Sequence, residues 1–161
     1  MNSSLRQGMF FGANSGIITT VGLITGLVQT NISKNYLIIS IMSLAIADSI
    51  SEAYGMYISK KAEDTDDDSK NPIYALIGLL IMKFLIVISF LIPFLFSKKI
   101  KYYKNLYWVV GWGLFLISIV DYNISELRDE SFIGYLIPHT IILFLVIYLT
   151  RLFGRLIETY K

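Results

Sequence analysis

Two carboxylates, a hydroxyl and a thioether fall together in the stretch Ala47-Asp48-Ser49-Ile50-Ser51-Glu52-Ala53-Tyr54-Gly55-Met56-Tyr57-Ile58-Ser59. On a helix of 3.6 residues per turn, Asp48, Glu52, Gly55 and Ser59 lie within about 60° of one another, with Ser51 and Met56 at the edges. These groups can bind a cation. Carboxylate and hydroxyl oxygens suit Fe²⁺ and Mn²⁺, and a thioether biases a site away from Mg²⁺ and Ca²⁺. A carboxylate can also carry a proton. The stretch closes an apolar run that begins near Tyr36, so the acids sit at membrane depth. Placing one there costs about 3 kcal/mol on insertion scales. Intramembrane acids therefore face a bundle interior, a cavity or a counter-charge.

The elements that must hold these groups follow from composition. The chain has 161 residues, 55% of them hydrophobic, with a mean hydropathy of +0.61. That is too apolar for a soluble domain of this size. One span needs roughly 20 apolar residues, so five spans joined by short loops use the whole length. The spans are read as residues 9–30, 36–59, 72–96, 106–124 and 132–153, one all-α transmembrane domain over residues 1–161. No cleavable signal is evident, because the first apolar run is too long for one. Cysteine is absent, which excludes disulfides and thiolate ligands. The net charge of +2 says little about partners.

Other spans add polar groups. In span one, Gly8, Gly12, Ser15, Thr19, Gly22 and Gly26 form one stripe, which allows another helix to approach closely. Ser15 and Thr19 are candidate oxygen ligands on it. Lys83 is mid-way along span three, too deep to reach the membrane edge, and needs a carboxylate partner. Antiparallel spans put Asp48 and Lys83 at one depth, and Ser15 level with Glu52. Ser15, Asp48, Glu52, Met56 and Lys83 are thus expected in one slab, with Lys83 paired to Asp48 or Glu52. Asp121 is placed near the end of span four, within reach of water. The single histidine, His139, reads as a hydrogen-bonded packing residue. Pro93 is expected to kink the end of span three.

The loops carry charge. Residues 62–71 are acidic but lack EF-hand spacing and read as a solvated linker. Residues 97–104 are basic and aromatic, a headgroup anchor rather than a nucleic-acid surface. Trp108 and Trp112 mark a membrane interface. There is no GxGxxG, P-loop, HExxH or nucleophile elbow. Neither an enzyme nor a permanently bound cofactor is expected.

Gly12-Ala13-Asn14-Ser15-Gly16-Ile17-Ile18-Thr19-Thr20 resembles the first-helix signature of the vacuolar iron transporter family, roughly G-A-x-D-G followed by two hydrophobic residues, S/T and T. Residues 47–59 are similar to its second-helix signature. Weaker likenesses lie at Asn71-Pro72-Ile73-Tyr74-Ala75, Leu91-Ile92-Pro93-Phe94 and Gly154-Arg155-Leu156. The link after span two is too short for a cytoplasmic metal-binding domain, which resembles the nodulin-like branch. The resemblance implies a five-helix homodimer in a vacuole-like or other endomembrane, or the plasma membrane, that moves Fe²⁺ or Mn²⁺ in exchange for protons. It implies a metal site at Glu52, Met56, Asp48 and Ser15; Lys83, Thr19 and Ser51 are further intramembrane polar groups read from the spans themselves. The stripe in span one is the expected dimer seam.

Three departures bear on function. Ser15 stands where the family has Asp. The Met and Glu of the second helix are exchanged, giving Glu52 and Met56. Lys83 has no counterpart in the pattern. The alternative to transport is a non-transporting or regulatory homologue whose cation site is neutralised by Ser15 and Lys83. The resemblance implies an N-terminus in the cytoplasm. Positive charge points the other way: Arg6, Lys60, Lys61, Lys70 and Arg128 on that side face eight Lys and Arg on the opposite side, at positions 34, 98, 99, 101, 104, 151, 155 and 161.

Overall fold

The computed structural model describes residues 2–30, 32–63, 71–96 and 102–159. They form α1 (Ser3–Leu27), α2 (Lys34–Lys61), α3 (Pro72–Ser89), α4 (Ile92–Phe96), α5 (Tyr102–Arg128) and α6 (Phe132–Thr159). No strand occurs among the described residues. Five helical segments are long and apolar enough to cross a membrane, with α3 and α4 sharing one of them. The acidic link at 64–70 and the basic loop at 97–101 lie outside the described residues.

Local chemistry sets the helix ends. The Asn2 side chain accepts from the backbone N–H of Ser4 and Leu5. Ser33 caps α2 through the N–H of Tyr36, and Asn71 caps α3 through that of Ile73. Each cap satisfies donors that the first turn leaves free. Pro72 fits the first turn of α3, where no N–H is needed. Pro93 does more than kink its span. It would clash with the carbonyl four residues back, Ser89, and α3 stops there. Phe90 and Leu91 turn with hydrogen bonds to Val87 and Ile88 before α4 starts. Between α5 and α6, Asp129 takes φ 54°, and the Glu130 N–H reaches back to the Ser125 carbonyl at 3.1 Å. This left-handed stop lets two helices reverse direction within three residues.

α1 is the central helix. It packs most extensively on α3 and also meets α2, α5 and α6. Ile17, Val21 and Ile24 of α1 are fully buried. α2 rests mainly on α3. The outer faces carry large exposed apolar side chains, among them Ile39, Ile46 and Ile50 on α2 and Ile141, Phe144 and Leu145 on α6. Apolar surface of this extent is what a bilayer covers.

The small-residue stripe of α1 is filled within the chain. A Cβ on Gly8 would lie 2.1 Å from the Ala75 carbonyl oxygen, and one on Gly12 2.7 Å from that of Leu79. The approach is mutual, since a Cβ on Gly78 of α3 would lie 2.4 Å from the Leu5 carbonyl oxygen. Further along, Gly26 meets Thr150 and Gly154 of α6. These glycines therefore serve α3 and α6, and the stripe is not a free surface for a second copy.

Candidate ion site

The cluster is assembled from three helices. α1 supplies Ser15, α2 supplies Asp48 and Glu52, and α3 supplies Lys83. The Lys83 Nζ lies 2.5 Å from Asp48 Oδ2 and 2.7 Å from Glu52 Oε2. It also donates to Ser15 Oγ at 3.0 Å. Ser15 Oγ in turn donates to Glu52 Oε1 at 2.8 Å. One hydroxyl thus accepts from the ammonium and donates to a carboxylate, which a serine can do at once. The two contacts between Lys83 and the acids are charge contacts, not well-aligned hydrogen bonds.

Burial is uneven across the cluster. The Lys83 side chain is 0% exposed, whereas Asp48 and Glu52 keep 30% and 29%. Gly16 makes room for the lysine stem: a Cβ there would lie 3.3 Å from Lys83 Cγ. Asp48 opens onto a groove of about 440 Å³ lined also by Leu23, Ser40, Ser43, Leu44 and Ser51. The ammonium is therefore held from inside, and the carboxylates keep an outer side.

The remaining candidate residues sit around this centre without joining it. Thr19 Oγ1 donates to the Ser15 carbonyl at 2.8 Å, so its hydroxyl serves its own helix. Ser51 is exposed and lines the groove. Met56 is partly buried one turn beyond Glu52. No group of three or more His, Cys, Asp and Glu side chains with metal-binding geometry occurs among the described residues. The expected pairing of Lys83 with one acid is a pairing with both.

A second polar pair lies between α5 and α6. His139 Nδ1 is 2.5 Å from Asp121 Oδ1. The expectation that water reaches Asp121 is corrected: its side chain is 0% exposed, and His139 is 23% exposed. The two helices pack side by side in opposite directions and cover the acid. His139 is the hydrogen-bonded packing residue the sequence indicates. Sequence reasoning missed this pair, and it missed Gly16 and the hydroxyl-lined groove at Ser40 and Ser43. The pair becomes legible once α5 is seen to continue past residue 124 to Arg128. Asp121 is seven residues before the end of α5 and His139 seven after the start of α6, so both lie at one depth.

The fold and the cluster define a multi-pass helical membrane protein with an ion-paired site inside the bundle. Residues 6–71 match the model of the VIT family. Over this stretch the chain is similar to that family, and the family suggests a membrane transporter of metal ions. It includes Ser15, Asp48, Glu52 and Met56, while Lys83 lies beyond it. Neither the curated proteins nor the solved structures gave a match.

Proposed function

We propose that this chain moves a divalent transition metal, Fe²⁺ or Mn²⁺, across a membrane, and that the arriving ion displaces the Lys83 ammonium from Asp48 and Glu52. The observation that carries this reading is the cluster itself. One cationic group is already held by three oxygens within 3.0 Å, and two of these belong to carboxylates, of which Asp48 opens onto a groove. Carboxylate and hydroxyl oxygens are ligands that Fe²⁺ and Mn²⁺ accept, and Met56 is one turn away. Charge supports proton coupling. With both acids ionised, two negative charges and one positive leave the cluster at one negative charge. A dication added to it leaves one positive charge in a medium that tolerates isolated charge poorly. Release of one proton from the cluster restores neutrality. Metal entry and proton release are then one step.

A second reading has its own support. The ammonium is fully buried and its stem is packed against Gly16. A lysine held this firmly favours a locked, non-transporting homologue. Flux of Fe²⁺ and Mn²⁺ into proteoliposomes separates the two. On the proposed reading the parent transports slowly, and Lys83→Leu combined with Ser15→Asp raises the rate well above it. No flux in the parent with flux in the double variant supports the locked homologue. Robust parent flux that is lost on Lys83→Leu would make the lysine an obligatory part of the cycle and overturn its role as competitor. No flux in either protein removes the transport reading and leaves the non-transporting homologue.

A further inference from the structure

α3 and α5 both pack on α1 but barely touch each other. Between them lies a cleft of about 660 Å³. Phe10 and Ala13 of α1 form its floor, Met82 and Ile86 of α3 one wall, and Leu116 and Val120 of α5 the other. A second cavity of about 660 Å³ adjoins it, and Arg6, Phe10 and Leu127 line both. This second space is polar, with Gln7, Asn14 and Arg128 on its surface.

Depth orders the two compartments. Arg6 is in the first turns of α1 and Arg128 is the last residue of α5, so both guanidinium groups stand at one edge of the bundle. Met82, Ile86 and Leu116 lie ten to fourteen residues in from the same edge, or roughly 15–21 Å at 1.5 Å per residue. The combined space is cationic at the membrane surface and apolar towards the middle. That is the profile of an amphiphile with an anionic head. Each compartment is of a size usual for a small-molecule site.

We propose that this cleft binds one anionic phospholipid, with its phosphate between Arg6 and Arg128 and an acyl chain along Met82, Ile86 and Leu116. Guanidinium groups pair with phosphate through two parallel hydrogen bonds, and basic pockets between membrane helices bind anionic headgroups. Neither arginine is ion-paired among the described residues. One acid, Glu126, also lines the cleft, and its Oε1 accepts from the Tyr122 hydroxyl at 3.2 Å. Two guanidinium groups against one carboxylate leave one positive charge for the phosphate. The cleft is on the α5 side of α1, and the Lys83 cluster is between α1, α2 and α3, so this site is independent of the transport reading.

Native mass spectrometry of the full chain tests it, with equal amounts of dioleoyl phosphatidylglycerol and dioleoyl phosphatidylcholine added to the detergent micelles. The parent should retain one phosphatidylglycerol per chain in preference to phosphatidylcholine by about tenfold. Arg6→Ala combined with Arg128→Ala should abolish the preference while leaving the thermal unfolding of lipid-free protein unchanged. Equal retention of the two lipids by the parent would overturn the proposal. So would a preference that survives loss of both arginines. A photo-crosslinking residue at position 10 should capture lipid; capture of a second copy of the chain instead would assign the cleft to self-association and refute the lipid site.

Discussion

Replacing Lys83 with methionine keeps most of the stem and removes the charge, so it tests how far the cluster holds α1, α2 and α3 together. The Nζ touches Asp48, Glu52 and Ser15 within 3.0 Å, and no water reaches it. Breaking a buried ion pair by removing one partner costs about 3–5 kcal/mol, whereas exposed pairs contribute about 0–1 kcal/mol. Here the lysine is fully buried and the acids are about 30% exposed, which places the loss between these limits. We expect about 2–4 kcal/mol, since water and proton uptake relieve the stranded acids in part. For a chain of this length each kcal/mol moves the midpoint by roughly 2–4 °C, so Tm should fall by about 4–16 °C. Thermal unfolding in micelles, followed by the fluorescence of Trp108 and Trp112, reads this directly. Adding Asp48→Asn and Glu52→Gln to Lys83→Met removes the stranded charges and should recover most of the loss. A Lys83→Met protein that unfolds within a degree of the parent would show that the ion pairs do not hold the helices, and the argument from burial would fail.

Three further outcomes follow from the same geometry. Glu52→Ala should abolish Fe²⁺ flux more completely than His139→Ala, and equal flux in the Glu52 variant and the parent would remove Glu52 as a ligand. Gly12→Leu forces atoms into the Leu79 carbonyl, 2.7 Å from where its Cβ must sit. Overpacking of this kind costs about 1–3 kcal/mol, so unfolding should occur at lower temperature, and an unchanged Tm would deny the close approach of α1 and α3. His139→Ala strands the fully buried Asp121 and should destabilise the chain by about 2–4 kcal/mol; Asp121→Asn added to it should restore part of that, which chemical unfolding can measure.

Depth could be read in the sequence, and facing direction could not. Apolar length locates five spans, while the caps at Ser33 and Asn71 emerge only in the structure. Antiparallel spans rise by the same 1.5 Å per residue, so equal distances from the ends give equal depth. That rule brought Ser15 to Glu52 and Asp48 to Lys83. Applied to spans four and five as read, it puts Asp121 three residues from one end and His139 seven from the other, and the two match only once α5 is seen to run on to Arg128. Rotation about each axis is set by packing against neighbours, which periodicity within one helix does not contain. Met56 and Ser51 share a broad face with Glu52 yet stay outside the cluster. Gly16 lies off the stripe drawn through Gly12 and Ser15, but it is the residue against which the lysine stem packs. The stripe itself illustrates the same limit. Small residues announce a close helix neighbour, and here the neighbours are α3 and α6 of the same chain.

Lys83 opposes a cation in two ways, and Ser15 bears on only one of them. The first is charge. Ser15→Asp alone would bring the cluster from one negative charge to two, which a dication neutralises. The second is occupancy. The Nζ stands among the oxygens an ion would need, and a third acid beside it would hold the ammonium more strongly. Restoring the acid without removing the lysine therefore answers the charge and worsens the occupancy. Removing the lysine alone frees the oxygens and leaves two negative charges, but α1 then offers only a hydroxyl. A dication that must displace the ammonium and find only a hydroxyl on α1 is moved slowly; a vacated position together with an acidic ligand from α1 should speed it, and this is why the two substitutions belong in one protein.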